Sequence, residues 1–274
     1  LKIQLNNTKD FNYCMNLIIG DTSQLSFYFP KDFDRISSRN INYDEINKKK
    51  YDKIFILFAE QKTFLNETEN FYVDVNVTYT LSVIDSIKDS CNQVVIYSTS
   101  ELWNNYDGEV SIDMKYNYGY SPYIKSKEIL SDYINEYREK YNNVVIIYPF
   151  NFNSPYRNSG FLFGKIFDSL INKQKISVGN VNFYRDLIHP SVIVKHSILT
   201  NEDLLIGSGE LINVGEFIKD LYSISNLNYI DYISFDESNS LSNSRRDYFS
   251  KIKYSNYEEL LNLTYYDTKK NNIS

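Results

Sequence analysis

Three short runs dominate the chain: "KIFILFA" (Lys53–Ala59), "QVVIYST" (Gln93–Thr99) and "VVIIYPF" (Val144–Phe150). Their apolar residues are continuous rather than alternating, and rich in β-branched types. A strand of that kind is covered on both faces, and two-faced burial is the mark of a parallel sheet flanked by helices. "MNLIIG" (Met15–Gly20) predicts a further strand, and "DRISS" (Asp34–Ser38) a weaker one. Between the runs lie helical periods. Val73, Val77, Leu81, Ile84 and Ile87 recur at three and four residues, as do Ile129, Leu130, Ile134 and Tyr137. Ser121–Pro122 opens the second helix with a cap residue and proline at the first helical position. Strand and helix in alternation predict an α/β fold: a doubly wound parallel sheet with right-handed crossovers. Ligands of such sheets bind beyond the carboxyl ends of the strands.

After Pro155 the pattern loosens. "FLFGKIFDSLIN" and "LINVGEFIKDLYSIS" read as helices, "KISVG" as a strand and "DESNSLSNSRRD" as a polar loop. This half is expected to form a smaller C-terminal lobe, with no internal repeat and no separable linker. The 274 residues suffice for one large domain with such a lobe, and 42% hydrophobic composition supports a sizeable core. A net charge of -6 argues against general nucleic-acid binding. No apolar run approaches the roughly 20 residues of a membrane span, and Leu1–Lys9 lacks the apolar core of a signal peptide. Cys14 and Cys91 show no paired spacing and read as buried free thiols, which suits a cytoplasmic protein. His189 and His196 belong to no His/Cys cluster, so no metal is expected. The 26 tyrosines are read as compositional bias rather than as a base-stacking surface.

Chemistry concentrates at two strand ends. "YSTSELW" (Tyr97–Trp103) closes one strand, and "SPYIKSK" (Ser121–Lys127) opens the helix that follows. Tyr123 and Lys127 are four residues apart, so both side chains share one helix face. Alone, the pair reads equally as an exposed helix pair. Set after a Ser/Thr strand end, it resembles the short-chain dehydrogenase/reductase family. Further segments resemble that family's extended, nucleotide-sugar-modifying branch: "NVTYTL" (Asn76–Leu81), "YPFNFNSP" (Tyr148–Pro155), "YRDLIHPSVIV" (Tyr184–Val194) and "LLIGSGELINVGEFI" (Leu204–Ile218). Each match is loose, but their order and spacing together are specific.

The resemblance implies a Rossmann-type dinucleotide-binding domain over 1–155 and a nucleotide-sugar-binding lobe over 156–274. It implies catalysis by Thr99, Tyr123 and Lys127. A tyrosine titrates near 10, too high for a base at neutral pH; a neighbouring ammonium and a positive nicotinamide ring favour the phenolate. Tyr123 then exchanges a proton with a sugar hydroxyl, Thr99 donates to the same oxygen, and Lys127 also holds the nicotinamide ribose. "TSE" (Thr99–Glu101) resembles the active-site triplet of GDP-mannose dehydratases and some sugar-nucleotide decarboxylases; in the dehydratases the glutamate takes a proton beside the ketone, and Glu101 can do this or merely pair at the strand end. Ser100, Asn151, Arg185 and one of Arg245 or Arg246 (Arg246 preferred) are implied for substrate, the arginines for its diphosphate. His189 either lines the site or packs beside it. The implied function is oxidoreduction at C4 of a nucleotide-linked sugar, of the 4-keto reductase or epimerase type, in surface-polysaccharide sugar biosynthesis. A 4,6-dehydratase and a non-catalytic binding protein with a decayed cofactor loop remain alternatives. A homodimer formed through the two helix faces is the family's habit, although such faces can equally be buried inside the monomer.

"NLIIGDTSQLS" (Asn16–Ser26) has the outline of a glycine-rich dinucleotide loop, with Gly20 followed by Ser23 and Ser26 where two more glycines are usual. Serine does not reach glycine's positive-φ conformations cheaply. The "FYFPKDF" that follows allows only a very short helix, so the first crossover is trimmed. By resemblance the cofactor contacts are Gly20, Thr22, Ser23, Gln24, Leu25, Ser38, Arg39, Phe58, Ala59, Tyr123, Lys127 and Phe150. Ser37, Ser38 and Arg39 at the second strand's end favour NADP; Asp34, if the strand ends earlier, favours NAD.

Overall fold

The computed structural model describes residues 15–63, 67–236 and 247–271. Its centre is a six-stranded sheet of β1 (Met15–Ile19), β2 (Asp34–Ile36), β3 (Tyr51–Ile56), β4 (Cys91–Tyr97), β5 (Val144–Pro149) and β6 (Leu204–Ile206). The order is β6-β5-β4-β3-β1-β2, and every pairing is parallel. The chain runs outward from β1 to β2 and returns on the other side of β1 to β3. The crevice at that reversal, between the carboxyl ends of β1 and β3, is where such sheets take ligands. β6 comes from beyond residue 155, so the second half of the chain completes the sheet built by the first.

Continuous apolar strands follow from the two covered faces. Leu17, Ile19, Ile54, Ile56, Val94, Ile96 and Ile146 point into one core, and Ile18, Phe55, Val95, Val145 and Ile147 into the other. The first core is closed by the helical stretch 69–87 and by α4 (Pro122–Glu136). Besides short 3-10 turns, α4 is preceded by α1 (Tyr43–Asn47), α2 (Glu69–Val73), a π-helical turn (Asp74–Tyr79) and α3 (Thr80–Ile87). The π turn breaks the sequence period: Tyr72, Asn76, Thr80, Val83, Ile84 and Ile87 are buried, whereas Val73 and Leu81 are only partly covered. Val77, Ile84, Ile87, Leu130 and Ile134 pack on the sheet, so these apolar positions are buried inside the monomer.

The trimmed first crossover is a single 3-10 turn (Gln24–Tyr28). Leu25 and Phe29 fill the place of a longer helix, packing with Ile18 and Phe55. The Arg35 guanidinium ties the segment down by donating to the carbonyls of Ser26 (2.6 Å), Phe29 (3.1 Å) and Pro30 (2.9 Å). Three charge-assisted bonds satisfy carbonyls that the absent helix would have paired.

α5 (Leu162–Asn172), α6 (Pro190–Leu199), α7 (Val214–Ile224) and α8 (Tyr257–Asn271) complete the chain. α6 covers the second face of the sheet, while α5, α7 and α8 enclose a third core around Ile166, Phe217, Leu221 and Leu260. α7 starts at Val214, later than its apolar pattern, because Asn213 caps it and accepts from Glu216 N at 3.0 Å. Asp186 ties together three segments of the second half. Its buried carboxylate accepts from Ser208 N and Oγ on one oxygen, and from Gly209 N and Ser250 N on the other, at 2.6–3.1 Å. A Cβ at Gly207 would stand 2.3 Å from that carboxylate, which explains the glycine. Cys91 is half-buried at the head of β4 rather than fully buried, and burial still pushes its thiol up to about 12. Cys14 lies outside the described residues.

Candidate functional site

β4 delivers the first group. Beyond it, Thr99 caps a 3-10 turn (Ser100–Trp103), its Oγ1 accepting from Glu101 N at 3.2 Å. That bond uses a lone pair and leaves the hydroxyl proton to donate elsewhere. Leu102 and Trp103 anchor the turn with no exposure, and Glu101 is carried to the cleft wall. The Glu101 carboxylate accepts from Asn104 Nδ2 at 3.0 Å, and Asn104 in turn accepts from Gly119 N at 2.9 Å.

α4 delivers the second group. Ser121 is its cap residue and Pro122 its first helical residue. Tyr123 and Lys127, one turn apart, line the same cleft as Thr99 and Glu101. Serines let the helix approach the sheet: Ser131 Oγ meets Ser98 Oγ at 3.1 Å, both buried. Ser126 Oγ donates to Tyr123 O (2.7 Å) and accepts from Asn76 Nδ2 (3.0 Å). Asn76, buried in the π turn, also brackets Glu60, accepting from its N–H at 2.8 Å and donating to its carbonyl at 2.9 Å. Lys127 Nζ donates to Tyr97 O at 2.9 Å.

The electrostatics follow from depth. Burial, with Glu101 adding to it, pushes the Tyr123 phenol up to about 12, against the Arg157 charge and the Thr99 hydroxyl, which pull it down. Burial pulls Lys127 down to about 8. An isolated charge is disfavoured in a dry pocket, so phenol and amine both lean toward neutrality.

At the cofactor end, Gly20 has φ +104°, and a Cβ there would lie 3.0 Å from Phe58 N and 3.3 Å from the Leu57 carbonyl carbon. This glycine is required. Ser23 is ordinary extended backbone (φ −64°, ψ 143°), and Ser26 is buried with its Oγ donating to Asp21 O at 2.5 Å. Neither serine occupies a conformation that needs glycine. Gln24, also buried, accepts from Ser154 Oγ at 3.1 Å, joining the loop to the segment after β5.

One cleft of about 350 Å³ brings together Ser23, Gln24, Leu25, Phe58, Ala59, Thr99, Ser100, Glu101, Tyr123, Lys127, Phe150 and Asn151. Gly20, Thr22, Ser38, Arg39 and Arg185 lie outside its lining, and Arg246, with Arg245, falls outside the described residues. β2 ends at Ile36, so Ser37, Ser38 and Arg39 follow its carboxyl end. Asp34 opens that strand and pairs at the surface with Lys49 (3.0 Å), the wrong end for a ribose contact. The Arg185 guanidinium lies over the Phe183 ring at 4.7 Å. His189 packs: 2% exposed, it caps α6 through Nδ1, and its Nε2 sits 3.1 Å from Asp267, whose carboxylate also accepts from the Tyr28 hydroxyl. Arg157, Phe161, Gln61 and Thr63 line the cleft unforeseen. Their loops carry no spacing that marks them; for Arg157 the one signal is its place three residues after Ser154.

Among the described residues, no group of three His, Cys, Asp or Glu is placed to hold a metal ion, and no helix is long and apolar enough to cross a membrane. Residues 40–270 match the family model described as GDP-mannose 4,6 dehydratase. No curated protein sequence matches the chain. Among solved structures, MoeE5 in complex with UDP-glucose and NAD is similar with a TM-score of 0.75 at 14% identity, over 95% of this chain and 100% of its own. UDP-N-acetylglucosamine 4-epimerase from Methanobrevibacter ruminantium, in complex with UDP-N-acetylmuramic acid, gives 0.75 at 16%, covering 94% and 98%. RMD from Pseudomonas aeruginosa, complexed with NADPH, gives 0.72 at 12%, covering 93% and 100%. At these identities the likeness is one of fold.

Proposed function

Since the chain belongs to the GDP-mannose 4,6 dehydratase family, within the extended short-chain dehydrogenases/reductases, we propose that it is a nicotinamide-dependent oxidoreductase acting at C4 of a nucleotide-linked sugar, of the 4-keto reductase or epimerase type, serving surface-polysaccharide sugar biosynthesis. The observation that carries the reading is the single cleft in which Thr99, Tyr123 and Lys127 stand together beyond the strand ends.

The residues present fit a dinucleotide. The positive-φ turn at Gly20 lets the chain leave β1 tightly against the backbone that leaves β3, the role of the first glycine in a dinucleotide loop. Ser23, Gln24 and Leu25 would hold that end, Phe58 and Ala59 the middle, and Phe150, Tyr123 and Lys127 the nicotinamide end. Ser38 and Arg39 beyond β2 favour NADP over NAD; solved relatives carry one or the other. When bound, the cofactor supplies or accepts the hydride. For ketone reduction, Tyr123 would give its phenolic proton to the C4 oxygen and be left as the phenolate; in the reverse direction it would take that proton back from the C4 hydroxyl. Thr99 donates to the same oxygen and fixes its distance from Tyr123. Asn151 and Ser100 orient the sugar, and Arg185 and Arg246 are assigned to the diphosphate. The two cysteines suit a reducing cytoplasm. A homodimer is proposed through the outer sides of the helical stretch 69–87 and of α4, where Tyr133 is exposed.

Glu101 favours a second reading, a 4,6-dehydratase, because its carboxylate shares the cleft with Tyr123 and is held by Asn104. Turnover of a panel of nucleotide sugars by Tyr123→Phe and Glu101→Gln decides. Loss in the first variant alone supports a reductase or epimerase; loss of water elimination in the second supports a dehydratase. Undiminished turnover by Tyr123→Phe refutes the assignment.

A further inference from the structure

Burial and Glu101 both oppose the Tyr123 phenolate, so some positive charge must face it if this tyrosine exchanges protons near neutral pH. Lys127 is the expected source. Its ammonium, however, is 3% exposed and donates to the Tyr97 carbonyl at 2.9 Å. Among the described residues, the other cation that lines the cleft is Arg157, from the loop after β5. Its guanidinium lies 4.1 Å above the centre of the Phe161 ring, which lines the same cleft. A flat, delocalised cation stacked on a ring is pre-positioned and weakly hydrated; burial draws the Arg157 guanidinium down from its ordinary value, and the Tyr123 phenol opposes that fall.

We propose that Arg157 is the positioning residue whose charge faces Tyr123 across the cleft and steadies the phenolate when the proton leaves. The inference rests on the reading of Tyr123 as the acid–base group. Among the described residues, the groups around the phenol are Thr99 and Glu101 from the turn after β4, Glu67 just before α2, Tyr72 from α2 (ring centres 6.2 Å apart), Lys127 from α4 and Arg157 from the loop after β5. When the phenolic O–H breaks, the proton passes to the substrate oxygen and the negative charge stays on Tyr123 Oη, between Glu101, which repels it, and Arg157, which attracts it.

The test needs neither substrate nor cofactor. A fluorinated tyrosine at position 123 titrates low enough to be followed by fluorine NMR while the protein stays folded. Its midpoint should rise by about one pH unit in Arg157→Gln, the scale of one nearby charge, and by less in Arg157→Lys. Phe161→Leu, which keeps the charge and removes its platform, should give a smaller upward shift and serves if Arg157→Gln does not fold. A midpoint unmoved in Arg157→Gln, or in Phe161→Leu where that variant stands in, overturns the proposal. Turnover lost in Tyr123→Phe with an unmoved midpoint refutes only this role of Arg157; a moved midpoint with turnover kept refutes only the role of Tyr123.

Discussion

Replacing Gly20 by alanine probes the one backbone position on which the cofactor crevice depends. The residue sits at φ +104°, and its N–H donates to Ile36 O at 2.9 Å, fixing the turn between β1 and β2. An L-residue held at positive φ costs about 1–2 kcal/mol. The added Cβ would also stand 3.0 Å from Phe58 N and 3.3 Å from the Leu57 carbonyl carbon. Both are backbone atoms of the segment leaving β3, where Leu57 N donates to Ile19 O at 2.9 Å, so neither swings aside as a side-chain tip would. Overpacking of this kind adds about 1–3 kcal/mol. The sum, about 2–5 kcal/mol, corresponds at this chain length to a melting temperature lower by roughly 4–9 °C. Calorimetry or urea unfolding of Gly20→Ala measures it. Ser23→Gly is the comparison: Ser23 is already extended, so glycine only loosens the unfolded chain, at a cost of about 0.4–1 kcal/mol. A Gly20→Ala loss under about 0.5 kcal/mol, within ordinary surface effects, would refute the steric reasoning.

Asp186→Asn keeps the shape but sets an amide N–H₂ against two of the four donors around the carboxylate, and each buried donor left unmet costs about 1–3 kcal/mol; denaturant unfolding should show at least about 2 kcal/mol lost. Lys127 is drawn down to about 8 by burial from an ordinary value of 10.5, so between those values the unfolded chain holds a proton that the folded chain lacks, and stability rises with pH across the window. Below pH 8 the cost of the buried charge is fully present. Lys127→Met should remove this rise, a span of about 3 kcal/mol, and an unchanged slope in unfolding curves at pH 7.5 and 10 would contradict it.

What the sequence discloses divides by range. The strands β3, β4 and β5 are legible because two-faced burial writes itself as unbroken apolar runs. The shared face of Tyr123 and Lys127 is legible because helix geometry is local. The π turn is not: Asn76 is buried for its bonds to Glu60 and Ser126, contacts that no apolar period encodes. β6 is three residues long and gains strand character only from pairing with β5. The serine-substituted loop invites a reading of strain that the backbone removes, since the demand for glycine falls on Gly20 alone among the three positions. Arg35 and Arg157 show the same limit. An arginine in a loop reads as a solvated charge until the fold places three carbonyls, or an aromatic ring, beside it.

The account turns on a dinucleotide lying between the Gly20 turn and Tyr123. Calorimetric titration of the protein with NADPH and with NADH, repeated on Lys127→Met, tests this most directly. The account predicts one saturable site per chain for at least one of the two, weakened about tenfold (about 1.4 kcal/mol) when Lys127 is lost. Binding of neither cofactor, or binding indifferent to Lys127, would contradict it.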